Sequence, residues 1–290
     1  MRRPGLLQHQ LDEVDYTVID FETTGLSPAS SDRVCEIGAV KLRGGAVVDT
    51  LSTLIDPQRP ISAGAYAVNG ISPRMLAGAP IFSQIAERLL TLIKDCVLVA
   101  YNAPFDMSFL LSEFKLSGYP TITNPAVDAL SLARQLLPGL GKYPQENVAR
   151  LMGIPFPVKH RALEDAMVTS RLFMMFASML KAHGYTHVSD LTRRDLGTGL
   201  TKKRLAIVHE ALAKKYDLWI KYLSPTSFEI SDRIVSPIEC LSGNRGRSTG
   251  TYLIGFCHSA NGERNFQIDR ILDLRLVHRS TSSVVSQKFL

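Results

Sequence analysis

Residues 18–26 of this 290-residue chain have the sequence Val-Ile-Asp-Phe-Glu-Thr-Thr-Gly-Leu. Asp20 and Glu22 stand two residues apart in an apolar run, and because side chains alternate along a strand, both carboxylates leave the same face. Two like charges on one face are costly unless a cation lies between them, and a divalent ion with oxygen ligands meets that need. The alternative is a strand that ends at the surface with both acids in water.

A third acid follows a second short apolar strand, Val97–Tyr101. Asn102 suits the N-cap of a helix, and Pro104 suits its first turn. Asp106 falls in the same turn, where a carboxylate meets the positive end of the helix dipole. Asp106 therefore either serves only the helix start or joins the first two acids at a site between strand and helix.

A fourth acid and a histidine stand close together at 160–165, after two prolines and before a long helix that is predicted to reach residue 183. Five residues separate His160 from Asp165, which on one helix is a rotation of about 140°. The two side chains could not share a helix face. If both act at one site, His160 must lie on the loop and Asp165 on the helix.

The elements around these motifs alternate between strand and helix. Arg33–Leu42 and Ala46–Ile55 are predicted strands joined by a turn at Gly44-Gly45, so the chain opens with an antiparallel meander. Apolar spacing predicts helices at 62–68, 72–76, 81–94, 126–137 and 145–152. Asp128, near the start of one of them, is interpreted as a cap or a support for the site, with a metal ligand as the alternative.

Composition and charge bound the classes of function. The chain is 45% hydrophobic and 21% charged, as in globular proteins, and it has no run of 18 apolar residues and no signal-peptide pattern. Its four cysteines are widely spaced, which predicts reduced thiols and a cytoplasmic location. Residues 1–185 hold 17 basic and 17 acidic side chains, and residues 186–290 hold 16 and 10, so the net charge of +6 lies wholly in the last third. That asymmetry favours a polyanion-binding module, although a merely basic domain would show it too.

The last third has its own organisation. Residues 184–201 are polar and glycine-containing and are predicted to be a linker. Lys202–Tyr216 is predicted to be an amphipathic helix, and from Leu218 the apolar period changes to two. Strands are predicted at 217–223, 226–239, 250–258, 264–268 and 271–277. One helix with five strands predicts a small β-barrel over 202–278, and residues 279–290 are predicted to be a flexible tail.

The three motifs together resemble the DEDDh 3′–5′ exonucleases of the DNA polymerase III epsilon-subunit and RNase T type. The resemblance covers residues 14–182 and is carried by Asp20 and Glu22, then Asn102, Phe105 and Asp106, then His160 and Asp165, in the family's order. Tyr101 departs from the pattern, since many members have His there. The resemblance implies an α/β exonuclease domain over 1–183, with an RNase H-like mixed sheet flanked by helices.

The resemblance also implies the chemistry. Asp20, Glu22, Asp106 and Asp165 would hold two Mg²⁺ or Mn²⁺ ions, and His160 would take a proton from the attacking water. The 3′-terminal nucleotide would be held by five further residues, namely Thr23, Thr24, Leu26, Asn102 and Phe105. Products would be nucleoside 5′-monophosphates.

Residues 200–278 resemble a WYL domain, an Sm-like or SH3-like barrel found in bacterial regulators and DNA-processing proteins. Thr251 stands where the name-giving Trp would be, while Tyr252 follows it as in the family. The family's role implies binding of nucleic acid or a nucleotide-like ligand, here through Tyr252, Arg264 and Arg270, with Arg245 and Arg247 as nearby basic candidates. The alternative is that Arg264 and Arg270 form ion pairs with Glu263 or Asp269.

The sequence therefore predicts a bacterial, metal-dependent 3′–5′ exonuclease whose basic C-terminal domain binds or senses nucleic acid. A substrate of single-stranded DNA and a role in DNA repair are favoured, with no membrane association. RNA processing is one alternative, because DNA and RNA share the phosphodiester. Another is a regulator that uses the nuclease fold as a scaffold, which a complete set of four acids and a histidine disfavours. Protein partners and oligomeric state have no signal in the sequence.

Overall fold

Two units make up the chain in the computed structural model, which describes residues 5–156, 160–245 and 248–278. The N-terminal unit comprises Met1–Gln135 and Gly141–Arg194, and the C-terminal unit comprises Leu136–Leu140 and Asp195–Leu290. Each unit has its own five-stranded sheet. The predicted tail falls on residues 279–290, which lie outside the described residues.

The N-terminal sheet is mixed, with the strand order β3-β2-β1-β4-β5. The central strand β1 pairs antiparallel with β2 and parallel with β4, while β3 and β5 form the edges. The strands are β1 (Asp15–Thr23), β2 (Val34–Arg43), β3 (Ala46–Leu54), β4 (Cys96–Ala100) and β5 (Ala126–Asp128). The predicted mixed sheet flanked by helices is confirmed, and it places the first acid pair on the central strand.

The helices of this unit follow the predicted order. They are α1 (Ala63–Asn69), α2 (Pro73–Leu76), α3 (Phe82–Ile93), α4 (Ala103–Leu116), α5 (Ala129–Leu136), α6 (Gln145–Leu151) and α7 (Ala162–Ala182). Apolar side chains of α3 and α4, among them Phe82, Leu89 and Phe109, pack with Ile19 and Ile37 of the sheet in one core. This core fixes the start of α4 beside the end of β1.

The start of α7 lies directly on β2 because Gly38 has no side chain. A Cβ at Gly38 would overlap the backbone of Ala162, the first residue of α7. Glycine here thus allows a close approach of strand and helix. The consequence is that the residues just before and just after Ala162 are held beside the end of the central strands.

One predicted helix of this unit begins later than expected. Residues 126–128 form the parallel strand β5, and the helix starts at Ala129. The cause is Asp128, whose Oδ1 accepts hydrogen bonds from the backbone N–H groups of Asn102 (3.0 Å), Ala103 (3.2 Å) and Leu130 (3.1 Å). Asp128 therefore joins two chain segments through their backbones, as the cap interpretation predicted.

The C-terminal unit contains one long helix, α8 (Leu196–Lys214), and an antiparallel sheet. The sheet has the order β10-β6-β7-β8-β9, with β6 (Asp217–Leu223), β7 (Ile230–Arg245), β8 (Ser248–Cys257), β9 (Gly262–Gln267) and β10 (Ile271–Val277). Val208 and Ala211 of α8 pack against Leu218, Ile220 and Phe266 of the sheet.

Two expectations for this unit need correction. The sheet is not a closed barrel, because β9 and β10 pair with no further strand within the described ranges and so form its two edges. The helix begins at Leu196, six residues before Lys202, and a short 3-10 helix spans Val188–Thr192, so part of the predicted linker is helical. Leu196 and Leu200 are buried, which gives this extra length of helix an apolar face.

Two further observations concern the chain as a whole. All four cysteines are free thiols. Among the residues that the structure describes, no helix is long and apolar enough to cross a membrane.

Candidate active site

A cavity of about 910 Å³ opens at the carboxyl end of β1, and its lining includes the four acids of the sequence motifs as well as Asp32 and Glu146. Asp20 and Glu22 both face it, as the strand period predicted. Glu22 is 8% exposed and Asp20 is half-buried, so neither is a freely solvated strand end. The interpretation of this pair as two acids in open water is wrong.

Asp106 reaches the cavity from the first turn of α4. Its Oδ1 accepts a hydrogen bond from the backbone N–H of Phe21 at 3.0 Å, and the side chain is 3% exposed. Phe21 stands between the two acids of β1, so this bond fixes Asp106 beside both of them. Asp106 thus does more than begin a helix.

His160 and Asp165 reach the cavity from the start of α7, with His160 on the preceding loop and Asp165 on the helix, as their spacing predicted. Asp165 Oδ2 accepts a hydrogen bond from the backbone N–H of His160 at 3.0 Å. His160 has a left-handed backbone with φ of 58°. Donor atoms of Glu22, His160 and Asp165 all lie within 4.8 Å of one another.

The charges of the four acids oppose one another. Burial raises the pKa of Asp106 to about 8 and that of Asp165 to about 6, although the His160 N–H lowers the latter in part. Burial, followed by the charges of Asp165 and Glu36, raises the pKa of Glu22 to about 7. The pKa of Asp20 lies well above its ordinary range because of burial and the charges of Asp106 and Asp165. Arg161 lowers the pKa of Glu22 and His160 lowers that of Asp165, but both only in part, so burial and repulsion dominate.

A divalent cation fits this donor set. Asp165 is 6% exposed, and its Oδ1 is buried without a hydrogen-bond partner among the described residues. A buried carboxylate oxygen without a partner carries a large desolvation cost, which a bound cation removes. Carboxylate oxygens are the ligands that Mg²⁺ and Mn²⁺ prefer.

A fifth acid, Glu36, escaped the sequence interpretation. It lies on β2 directly opposite Glu22 and is 2% exposed. Arg161 neutralises it, with Nη2 at 2.7 Å and Nε at 3.1 Å from Glu36 Oε1, and the N–H of Ala162 donates to Oε2 at 3.4 Å. This pair joins β2 to the loop that carries His160. The partners are 125 positions apart, so no local sequence pattern indicates the pairing.

Gln145 is a second residue that sequence reasoning missed. Its Nε2 donates to the backbone carbonyl of Asp165 at 2.8 Å and to Thr169 Oγ1 at 2.6 Å. Gln145 also lines the cavity, so α6 supports the first turns of α7 from the cavity side.

The residues predicted to hold the 3′ nucleotide differ in their placement. Thr23, Leu26 and Phe105 line the cavity, and Leu26 is 87% exposed at its edge. Thr24 is fully buried, and its hydroxyl donates to Asp32 Oδ1 (3.3 Å) and accepts from the N–H of Arg33 (3.0 Å), so its side chain fixes the loop. Asn102 is exposed at the N-cap of α4 and makes no side-chain cap hydrogen bond.

Tyr101 also lines the cavity. Its hydroxyl donates to the carbonyl of Tyr143 at 2.7 Å, which fixes the loop ahead of α6. That loop carries Pro144 and leads to Gln145, both on the cavity wall. The departure at position 101 therefore shapes one side of the cavity and leaves the four acids in place.

The candidates of the C-terminal unit fall into two groups. Arg264 is exposed on the edge strand β9, and its Nη1 donates to the carbonyl of Glu263 at 2.8 Å. Tyr252 is 7% exposed and Arg270 is 9% exposed, which places both largely in the interior. No ion pair of Arg264 or Arg270 occurs in the described part of the chain. Arg247 lies outside the described residues, as does the side chain of Arg245.

Comparison with known proteins gives two family matches. The sequence model of the Exonuclease family (RNase_T) matches residues 17–173, and that of the WYL domain matches residues 203–276. A DNA polymerase III of the PolC type from Caldanaerobacter subterraneus subsp. tengcongensis is 35% identical over 203 residues, which is 70% of this chain and 14% of that protein. A DNA polymerase III subunit epsilon-like protein from Rhodobacter capsulatus is 35% identical over 186 residues, which is 63% of this chain and 26% of that protein. The chain thus spans only a small part of these relatives' length.

Among solved structures, E. coli Exonuclease I in complex with a dT13 oligonucleotide is similar with a TM-score of 0.51. It is 16% identical, and the match covers 92% of this chain and 66% of that one. At this level of identity, the likeness concerns the fold alone.

Proposed function

The chain belongs to the exonuclease family whose model spans its residues 17–173, and from this membership we propose that it is a metal-dependent 3′–5′ exonuclease. One observation carries the proposal: four mutually repelling carboxylates and a histidine from β1, α4 and the start of α7 meet at a single cavity. A regulator that used the nuclease fold only as a scaffold would gain nothing from four repelling carboxylates in one cavity, so this observation disfavours that alternative.

In the proposed reaction, Asp20, Glu22, Asp106 and Asp165 hold two divalent cations. The ions, when bound, supply positive charge to the entering and leaving oxygens of the phosphodiester. The hydrogen bonds from Phe21 to Asp106 and from His160 to Asp165 set the positions of two of these carboxylates before substrate arrives. That preorganisation reduces the reorganisation needed at the moment of reaction.

His160 acts as the general base. It is exposed at the cavity and can accept the proton of the attacking water, as a positioned imidazole does in general base catalysis. Asp165 positions it through the backbone N–H, and the imidazole stays free to turn toward the water. Hydrolysis then releases a nucleoside 5′-monophosphate.

The 3′-terminal nucleotide binds against Leu26 and Phe105. The exposed Leu26 offers an apolar face to a base at the cavity edge. Phe105 offers an aromatic face, and its ring centroid lies 5.0 Å from that of Phe109. Such contacts suit bases that are unstacked, which favours single-stranded DNA as substrate.

The C-terminal unit, in this proposal, binds or senses nucleic acid. Its excess of positive charge and the exposed Arg264 on an edge strand support contact with phosphates. Tyr252 and Arg270 support that surface from within. A cytoplasmic location and a role in DNA repair stay predictions.

The test is a degradation assay with three 5′-labelled substrates of the same sequence: single-stranded DNA, duplex DNA and single-stranded RNA. We expect a ladder that shortens by one nucleotide from the 3′ end, fastest on single-stranded DNA, in Mg²⁺ or Mn²⁺ and not in chelator. The Asp20→Ala protein is the control for contaminating nucleases. Unchanged turnover by Asp165→Ala would exclude the assignment of the metal ligands.

A further inference from the structure

One corner of the cavity differs from the rest because it includes a nitrogen donor. Glu22, His160 and Asp165 each offer one atom, and the three atoms lie within 4.8 Å of one another. One oxygen of Asp165 holds the backbone of His160, which keeps this imidazole beside the carboxylates. The other oxygen is buried and has no hydrogen-bond partner in the described part of the chain.

The donor types decide which ion such a corner prefers. Two carboxylate oxygens and one imidazole nitrogen form the kind of three-ligand set that Zn²⁺ takes, with water in the fourth position. Mg²⁺ prefers six oxygens at near-octahedral geometry and has little use for imidazole. Asp20 and Asp106, which line the same cavity, offer oxygens only.

From these contacts we infer that Glu22, His160 and Asp165 form a Zn²⁺-class transition-metal site, distinct in its donors from the all-carboxylate set that Mg²⁺ would use. The inference rests on the proposed function, because it shares Glu22 and Asp165 with the proposed catalytic metal site. It adds a second role for His160, which is a ligand when a transition-metal ion binds and a base when Mg²⁺ binds.

This double role has a consequence for regulation. An imidazole nitrogen that is bonded to a metal ion has no lone pair left to accept a proton from water. Binding of Zn²⁺ in this corner therefore removes the base and occupies two of the carboxylates at once. Zn²⁺ would act as an inhibitor that competes with Mg²⁺, and the enzyme would be active only where Mg²⁺ exceeds Zn²⁺ by a wide margin.

The test measures metal binding to the full chain without substrate. Isothermal titration with Zn²⁺ and separately with Mg²⁺ is done on the wild type, on His160→Gln, and on His209→Gln, whose histidine is exposed on α8. Loss of a direct ligand should weaken Zn²⁺ binding by at least about tenfold, since even outer partners of a metal ligand contribute 10–100-fold. Mg²⁺ affinity of His160→Gln should stay within about twofold of the wild type.

A second measurement covers the case in which His160→Gln changes the fold. In the wild type, Zn²⁺ should shift the imidazole nitrogen resonance of His160 through direct coordination, and Mg²⁺ should produce only the smaller change caused by a nearby charge. The signal is assigned in the wild type itself, through its bonded connectivity to the backbone of His160.

The outcomes separate the two proposals. Equal Zn²⁺ affinity in the wild type and His160→Gln, or a His160 resonance that ignores Zn²⁺, overturns the inference while Mg²⁺-dependent degradation still supports the exonuclease. A wild type that neither binds Mg²⁺ nor degrades any substrate overturns the proposed function itself. His209→Gln should bind both ions as the wild type does, and a Zn²⁺ affinity lowered there as much as in His160→Gln would also overturn the inference.

Discussion

Two buried carboxylates of the N-terminal unit, Asp165 and Glu113, differ in the charge that surrounds them. Glu113 is 1% exposed on α4 and accepts hydrogen bonds from Arg33 Nε and Nη2, both at 2.8 Å, and from the N–H of Val34 at 3.0 Å. Asp165 is buried to a similar degree, but only one of its oxygens is bonded, and Glu22 and Asp20 add negative charge beside it. Burial is shared, so it cannot be what marks a functional acid. The missing partner is what marks it.

Glu36 lies between these two cases. Like Glu113 it is buried and paired with arginine, yet it stands opposite Glu22, which lines the cavity. Its partner Arg161 is next to His160 in the chain. A stabilising ion pair of ordinary kind thus also holds the loop on which the proposed base lies.

The largest expected effect separates Asp165 from Glu113. Asp165→Asn keeps the shape of the side chain but removes its charge, so turnover should fall by about 10³-fold or more, the upper scale for one charge-stabilising group. The same change relieves repulsion among the acids and should raise the melting temperature in chelator. Glu113→Gln should keep turnover and lower the free energy of unfolding by about 3 kcal/mol, because Arg33 loses its buried partner. Single-turnover rates measure the loss of activity, and thermal melts measure the change in stability. A larger fall in turnover for Glu113→Gln than for Asp165→Asn would contradict the prediction.

Arg161→Met tests the intermediate case against Arg33→Met. Each change leaves a buried glutamate without its arginine, so both should destabilise the fold by a few kcal/mol. Only Arg161→Met should also lower kcat, by about 10–100-fold with little change in KM, the range known for residues that orient a site through another group. Steady-state kinetics on the two variants, at a temperature where both are folded, measures the difference. Equal kcat in the two would show that the Glu36–Arg161 pair serves stability alone.

Metal removal and pH should act on the stability of the fold through the cavity acids. The pKa values of Asp165, Glu22 and Asp106 rise on folding to about 6, about 7 and about 8. Between the ordinary carboxyl pKa of about 4 and these values, the folded state binds more protons than the unfolded one, so stability in chelator should fall as pH rises through this window. At pH 8, Mg²⁺ at 100 times its Kd should raise the free energy of unfolding by about 2.7 kcal/mol. Melts from pH 4 to 8 with and without Mg²⁺ measure this, and stability in chelator that rises with pH across the window would contradict it.

The smallest expected effect lies in the C-terminal unit, where the charge is positive and exposed. Arg264→Gln, placed in an Asp20→Ala background to prevent degradation, should weaken single-stranded oligonucleotide binding and lower the slope of log K against log salt by about 1. Arg275→Gln is the matched control, because Arg275 pairs with Asp273 and lies over the ring of Trp219. Fluorescence anisotropy at several salt concentrations gives the slopes. Equal slopes for Arg264→Gln and the control would remove Arg264 from the proposed binding surface.

The sequence alone determined the acids, their order and the fold class. Strand period places Asp20 and Glu22 on one face, the Asn-Ala-Pro start of a helix places Asp106 at its first turn, and the spacing from His160 to Asp165 separates loop from helix. Each of these inferences uses only neighbours along the chain, where backbone geometry is the same in every protein. For the same reason the match to two families could be anticipated from short motifs.

Only the tertiary structure decided which charges have partners. Some of these features are contacts between segments that are distant in sequence, namely the pairing of Glu36 with Arg161 and the bonds of Gln145 to α7. Others result from the packing of such segments, namely the burial of Thr24 and the unpartnered oxygen of Asp165. The open sheet of the C-terminal unit and the early start of α8 also depend on contacts between segments that are distant in sequence. Register and packing set these contacts, and local residue preferences contain no information about which distant side chain will arrive opposite a given one.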